Sequence, residues 1–173
     1  MPGMNLTKSE AAERAAVISD VAYEVALDFT LPGDAFASRT RLTFTAPDAA
    51  DTFLDVVAED VTRVAVDGVE RDPAAVVSDG RLTLTGLTGR TTVEVDATFA
   101  YRTDGQGVHR FVDPETGETY LYTQFAANDA RRAFACFDQP DIKGTFAFTV
   151  DAPAHWVVVS NSPTPDPAEV PGA

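Results

Sequence analysis

The chain has 173 residues and a formal net charge of −14, from 13 basic and 27 acidic side chains. An acidic excess of this size would be repelled by phosphate backbones, so nucleic acid is excluded as an expected partner. Hydrophobic and charged contents of 45% and 23% are ordinary for one globular domain, and they argue against disorder.

Cysteine usage and the N-terminal sequence bear on the compartment. A single cysteine, Cys136, cannot form an intramolecular disulfide, so nothing indicates an oxidising compartment. The N-terminal sequence MPGMNLTKSEAAERAA has no apolar run of the signal-peptide type. No stretch approaches the ~20 apolar residues of a transmembrane helix. We therefore expect a cytoplasmic protein that does not bind membranes.

The first predicted element is a short helix from Thr7 to Ile18. Thr7 can cap this helix, and Glu10 stands three residues later, as a capping box requires. The apolar face is small and consists mainly of alanine. We therefore expect the helix to pack lightly on the outside of the fold or on a neighbouring domain.

From Val21 onward, apolar residues recur at every second position, which predicts β-strands. The clearest alternations run from Tyr23 to Phe29 and from Val93 to Tyr101. Asp-Gly pairs at 67–68 and 79–80 predict hairpin turns. Shorter strands are expected around Leu42–Phe44, Phe53–Val57, Val64–Val66, Leu82–Leu84, Tyr120–Tyr122, Phe146–Val150 and Trp156–Val159.

This succession of strands indicates an all-β domain. About eight to ten short strands, with no helical segment between successive strands, favour an antiparallel β-sandwich over a parallel α/β sheet. The proline-rich tail after Ser162 is typical of a linker or a loose end. We expect residues 1–173 to form a single domain.

The histidines do not form a metal-binding pattern. A zinc protease needs histidines and a carboxylate at fixed helical spacing, as in H-E-x-x-H, whereas His109 and His155 stand far apart in sequence. We expect His109 in an exposed glycine-rich loop and His155 in a structural role at the start of a strand. The sequence thus predicts no metal ligand and no catalytic residue.

The cysteine and the adjacent arginines are also expected to be structural. Cys136 lies between apolar neighbours, which fits a small buried side chain and not an activated nucleophile. Arg131 and Arg132 follow a potential helix cap, so a short helical turn is expected there. We expect one of them to pair with Asp138 or Asp141 and hold the loop together.

The segment LYTQFAANDARRAFACFDQPDIKGTF, residues 121–146, resembles the signature of the aminopeptidase N family of zinc metallopeptidases, which includes leukotriene A4 hydrolase. Members typically read T-Q-F-E-P-x-D-A-R-R-x-F-P-C-F-D-x-P-x-x-K. The matching residues are Thr123, Gln124, Phe125, Asp129, Ala130, Arg131, Arg132, Phe134, Cys136, Phe137, Asp138, Pro140 and Lys143. The pattern at the N-terminus resembles actinobacterial members most.

The resemblance implies that the chain is the saddle-like N-terminal β-sandwich of such an enzyme, non-catalytic and forming one wall of the substrate cleft. It implies that the zinc motif H-E-x-x-H-(18)-E and the G-x-M-E-N motif lie in a following catalytic domain, missing here, which would be this domain's partner. No cofactor is then expected in this chain. Gln124 corresponds to the residue that lines the pocket for the first side chain of a peptide substrate.

The chain departs from the family pattern in two places. Ala126 stands where a Glu or Gln binds the free α-amine, and a methyl group accepts no hydrogen bond. Either a carboxylate of the catalytic domain alone anchors the amine, or the parent enzyme is weakened or altered in specificity. Family domains also usually continue past Ser160-Asn161 with another pair of strands. We therefore expect a fragment with an unpaired strand edge, which favours self-association.

A second hypothesis belongs to a different class of protein. Without its amine anchor, the chain could be a free-standing β-sandwich that binds a partner or ligand and has no peptidase activity. The gene downstream of Ala173 would discriminate between the hypotheses.

Overall fold

The computed structural model describes residues 5–170 and begins with helix α1, Lys8–Val17. The predicted capping box is confirmed. The backbone N–H of Glu10 donates to Thr7 Oγ1 at 3.2 Å, and the backbone N–H of Thr7 donates to Glu10 Oε2 at 2.9 Å. These two bonds satisfy amides that have no partner within the helix, which fixes where α1 begins.

Strands dominate the rest of the chain, and the predicted all-β class with a short N-terminal helix is confirmed. The elements are β1 Ser19–Asp28, β2 Ala35–Asp55, β3 Asp60–Val66, β4 Val69–Arg71, α2 Pro73–Val76, β5 Val77–Ser78, β6 Arg81–Ala100, β7 Gly107–Val112, β8 Thr119–Gln124, the 3₁₀ turn Ala130–Arg132 and β9 Gly144–Asp151.

Seven strands form one sheet in the order β4-β3-β6-β2-β1-β9, with β5 paired to β6, and β7 and β8 form a separate hairpin. Within residues 5–170, all strand pairs are antiparallel except β1–β9, which run parallel with Val21 opposite Gly144. A parallel pair needs a long connection, and here most of the chain lies between the two strands. The alternation of apolar residues does not indicate whether two strands pair in parallel or antiparallel. This exception to the antiparallel prediction could therefore not be anticipated.

Strands β2 and β6 are much longer than the segments predicted for them. The sequence predicts separate strands near residues 42 and 53, but β2 runs through both and pairs with β6 along its length. The pairing register shifts between Ala46, Ala50 and Thr52, and Ala49 has a φ of 58°. Such bulges bend a strand and increase its twist.

Both halves of β2 and of β6, on either side of the register shifts, contribute to one hydrophobic core. Phe36, Phe44 and Leu54 of β2 are fully buried, as are Leu82 and Phe99 of β6. Burying a side chain of this size contributes about 1.5–3 kcal/mol. The opposite face carries a ladder of charged pairs, including Arg39 with Asp96 at 2.9 Å, so this face is in contact with solvent.

The segment after β9 differs from its prediction. Residues 152–170 contain no helix or strand, so the expected strand at Trp156–Val159 is wrong. The Trp156 amide donates to the carbonyl of Pro153 at 2.9 Å, which forms a turn instead. His155 is exposed beside the Trp156 ring and does not begin a strand. Within residues 5–170, no helix is long and apolar enough to cross a membrane.

Candidate functional site

Gln124, the one residue predicted to contact substrate, is the last residue of β8 and is exposed. In the β7–β8 register it lies opposite Gly107. Because alternate residues of a strand share a face, Gln124 lies on the same face of the hairpin as Tyr122 and Tyr120. A side-chain amide there can both donate and accept a hydrogen bond.

The face that carries Gln124 is aromatic. His109 and Phe111 of β7 lie opposite Tyr122 and Tyr120, and the His109 and Tyr122 rings stack with centroids 4.5 Å apart. Phe111 and both tyrosines are about half exposed. The expectation that His109 lies in an exposed loop is wrong, because its ring is half-buried on β7 and Nδ1 accepts the Gly105 amide at 3.0 Å.

Gly107 brings the signature loop, residues 125–143, against the hairpin. Its φ is +62°, and a Cβ built on it would lie 2.9 Å from Cβ of Arg132. Only glycine combines this backbone conformation with so close an approach. The backbone opposite Gln124 is therefore in direct contact with the loop.

The loop is held by its arginines, as predicted. Arg131 and Arg132 lie on the 3₁₀ turn Ala130–Arg132, and Nε of Arg132 donates to Oδ1 of Asp129 at 2.9 Å. The backbone N–H of Arg131 donates to Oδ2 of Asp138 at 3.1 Å, with Nε of Arg131 at 4.0 Å from the same oxygen. The predicted pairing of an arginine with Asp138 is confirmed.

At Cys136 and Ala126 the loop provides neither a reactive thiolate nor an acceptor for a substrate ammonium group. Cys136 is a free, buried thiol, and burial raises its pKa well above the usual range, so the thiolate is disfavoured. Its predicted structural role is confirmed. Ala126 is exposed two residues after Gln124, and its methyl group offers no hydrogen-bond acceptor for an ammonium group.

Sequence reasoning missed a buried polar cluster beneath the loop. Arg14 of α1 is 3% exposed and its Nη1 donates to Oδ2 of Asp55 at 2.7 Å. Gln139, at the end of the signature loop, accepts from Nε of Arg14 at 3.0 Å. A carboxylate inside the apolar run at residues 53–57 was the available signal, because a buried charge requires a partner.

Metal binding finds no support in the described part of the chain. Among residues 5–170, no three His, Cys, Asp or Glu side chains lie close enough together to hold a metal ion. The described residues therefore do not fit a zinc ion, whose ligands the sequence resemblance assigns to a following domain. The fold and the site together describe a β-domain with an exposed aromatic face on the β7–β8 hairpin, which packs against the signature loop.

Comparison with known proteins identifies the family. The sequence model of the Peptidase M1 N-terminal domain matches residues 22–170, so the chain belongs to that family. Aminopeptidase N of Streptomyces lividans is 47% identical over 173 residues, which cover 98% of this chain and 20% of the relative. Alanine/arginine aminopeptidase of Saccharomyces cerevisiae is 48% identical over 54 residues, 30% of this chain and 6% of the relative. The chain thus spans a fifth or less of the length of these relatives.

Two solved structures share the fold. Yeast LTA4 hydrolase aligns with a TM-score of 0.63 and 18% identity over 80% of this chain and 23% of its own. Aminopeptidase A of Legionella pneumophila, in complex with aspartic acid, aligns with a TM-score of 0.64 and 17% identity over 77% of this chain and 16% of its own. At these identities the likeness establishes the fold alone.

Proposed function

We propose that this chain is the non-catalytic N-terminal domain of a zinc aminopeptidase and forms one wall of its peptide-binding cleft. The observation that carries the proposal is the family match over residues 22–170, together with 47% identity to an aminopeptidase N. In this role Gln124 lines the pocket for the first side chain of the substrate. Its exposure at the end of β8, on an aromatic face, supports that assignment.

The contribution of this domain is binding and orientation. The side-chain amide of Gln124 can hydrogen-bond a polar group, and Tyr122 beside it offers apolar surface to a substrate side chain. Because the described residues do not fit a metal, we assign zinc to a catalytic domain outside this sequence, where it would supply Lewis-acid chemistry. This domain's partners are then its own catalytic domain and the peptide.

Ala126 leaves two versions of the enzyme open. In one, a carboxylate of the catalytic domain alone binds the α-ammonium group of the substrate. In the other, the enzyme discriminates less strongly against blocked N-termini, because the charge-assisted hydrogen bond that rejects them is missing. The two versions are distinguished by the rates at which Ala126→Glu and the natural protein hydrolyse peptides with free and with N-acetylated N-termini. Only the second version predicts that Ala126→Glu prefers free over N-acetylated peptides more strongly than the natural protein does.

Ala126 also favours a second candidate function, a free-standing β-sandwich that binds a partner and has no peptidase activity. The two candidates predict different coding sequence downstream of codon 173 of the gene. An in-frame H-E-x-x-H supports the aminopeptidase, and a stop codon supports the binding module.

Activity of purified proteins provides the biochemical test. We expect the polypeptide encoded by the whole gene to hydrolyse aminoacyl-nitroanilides and the 173-residue chain to be inactive. Turnover by the 173-residue chain itself would overturn the proposal. Inactivity of a longer polypeptide, with zinc bound, would contradict the proposed aminopeptidase activity.

A further inference from the structure

Helix α1 lies before residue 22, where the family match begins, yet it is attached to the domain by a buried ion pair. Nη1 of Arg14 donates to Oδ2 of Asp55 at 2.7 Å, and both side chains are 1% exposed. The Arg14 guanidinium also lies over the Phe53 ring, 4.6 Å from its centroid. Taking two charges out of water is costly, so such a pair persists only where its geometry is well satisfied.

The same arginine connects α1 to the signature loop. Nε of Arg14 donates to Oε1 of Gln139 at 3.0 Å, and Nε2 of Gln139 donates to the carbonyl of Ala11 at 2.9 Å. Oδ2 of Asp55, which accepts from Arg14, also accepts the backbone N–H of Asp138 at 3.1 Å. The helix and the end of the loop thus share one set of buried partners.

A continuous series of contacts leads from this cluster to Gln124. Asp138, held by Asp55, accepts the backbone N–H of Arg131 at 3.1 Å. The neighbouring Arg132 packs against Gly107, and Gly107 lies opposite Gln124 in the hairpin. Each step is a hydrogen bond, a close packing contact or a strand pairing, so a shift of residues 137–139 would be passed on to the hairpin.

From this geometry we infer that α1 is a positioning element of the cleft wall, in which Arg14 acts through Asp55 and Gln139 to fix the signature loop and, through it, Gln124. The functional part of the inference rests on the proposed function, because Gln124 has a role only in a substrate cleft. An apolar contact would attach a helix at least as strongly as a buried ion pair. The directed bonds of Arg14 instead define where the loop lies relative to the helix.

The first test measures the position of the hairpin in the folded 173-residue chain and does not depend on enzymatic activity. Backbone amide chemical shifts of Gly107 and Gln124 are recorded by NMR in Arg14→Gln and in a control, Arg39→Gln, whose arginine is paired on the solvent face of the sheet. We expect both amides to shift in Arg14→Gln and to stay at their natural positions in the control.

A purely structural attachment gives a different result. It predicts a lower midpoint of thermal unfolding for Arg14→Gln with the Gly107 and Gln124 shifts unchanged, and this result would overturn the inference. If Arg14→Gln does not fold, Gln139→Met decides by the same readout. That variant removes the two hydrogen bonds of Gln139 with α1 while leaving the Arg14–Asp55 ion pair in place.

The second test uses the polypeptide encoded by the whole gene. We expect Arg14→Gln to raise KM for aminoacyl substrates several-fold, up to about tenfold, since small misplacements of a substrate-contacting group are costly. In a Gln124→Ala background, Arg14→Gln should have little further effect on KM. If Arg14 acts only by positioning Gln124, its effect is already lost when Gln124 is removed. Additive effects would contradict the route through Gln124. If the amides shift but the natural protein is inactive, the proposed function fails while the positioning of the loop stands.

Discussion

Asp138 predicts an unusual pH dependence of stability. Its side chain is 8% exposed, and burial raises its pKa from 3.8 to about 6. Two carboxylates face it from neighbouring elements, Asp55 on β2 and Asp129 before the 3₁₀ turn, and both contribute to this raised pKa. The Arg131 backbone N–H and guanidinium oppose these effects but do not cancel them.

The sign of the pH effect is set by proton binding. A carboxyl whose pKa is higher in the folded than in the unfolded chain takes up its proton first in the folded state, so stability rises as pH falls from 7.5 to 5. Raising the pKa from 3.8 to about 6 corresponds to roughly 3 kcal/mol of stability, and solvent screening reduces this to about 1–2 kcal/mol. Glu10, whose pKa its hydrogen bonds with Arg81 and Thr7 lower to about 2, titrates below this window.

Asp138→Asn isolates this effect, because an asparagine oxygen can still accept the Arg131 amide. We expect the variant to be more stable than the natural chain by about 1–2 kcal/mol at pH 7.5, by roughly half as much at pH 5, and equally stable only below the unfolded pKa of 3.8. Urea unfolding followed by circular dichroism at pH 5, 6 and 7.5 measures this. The exposed Asp141→Asn is the control, expected to follow the natural chain throughout. A variant less stable at pH 7.5, or one with an unchanged pH slope, would show that the buried Asp138 carboxylate does not destabilise the fold.

Three further predictions concern the helix, the hairpin and the sheet edge. Gly107→Ala should lower the free energy of unfolding by about 1–3 kcal/mol, and by more than Gly117→Ala does. Both glycines have a positive φ, but only a Cβ at position 107 would meet a neighbour, Arg132. Equal losses of stability in urea unfolding would contradict this contact. Thr7→Ala should cost about 1 kcal/mol by removing the N-cap, and an unchanged midpoint would count against the capping box. Strand β9 ends the sheet with one edge unpaired among the described residues, so sedimentation should show association that increases with concentration, whereas a monomer at all concentrations would disprove it.

Local sequence signals anticipated the elements that local chemistry determines. Thr7 and Glu10 predicted where α1 begins, and period-two alternation located β1 and the second half of β6. The pairing of Arg131 with Asp138 could be predicted because the two residues are seven apart in one loop. In each case the interacting residues are close in sequence, so their spacing carries the information.

The remaining features depend on contacts between distant parts of the chain. The parallel pairing of β1 with β9 and the fusion of predicted segments into β2 have no local signature. The sequence of α1 does not identify a partner for Arg14, because Asp55 lies 41 residues away. The Trp156–Val159 segment has an apolar composition typical of strands, but among the described residues it forms no sheet pairing.

The proposed contact between Gln124 and the substrate is tested most directly by the substrate preference of the polypeptide encoded by the whole gene. The measurement compares kcat/KM for aminoacyl-nitroanilides that differ only in the first side chain. The variants are Gln124→Ala and Thr123→Ala, whose threonine lies on the opposite face of β8. We predict that Gln124→Ala changes the ratios between substrates about tenfold, while Thr123→Ala leaves them unchanged. Unaltered ratios in Gln124→Ala, in a protein that is folded and active, would contradict the assignment of Gln124 to the substrate pocket.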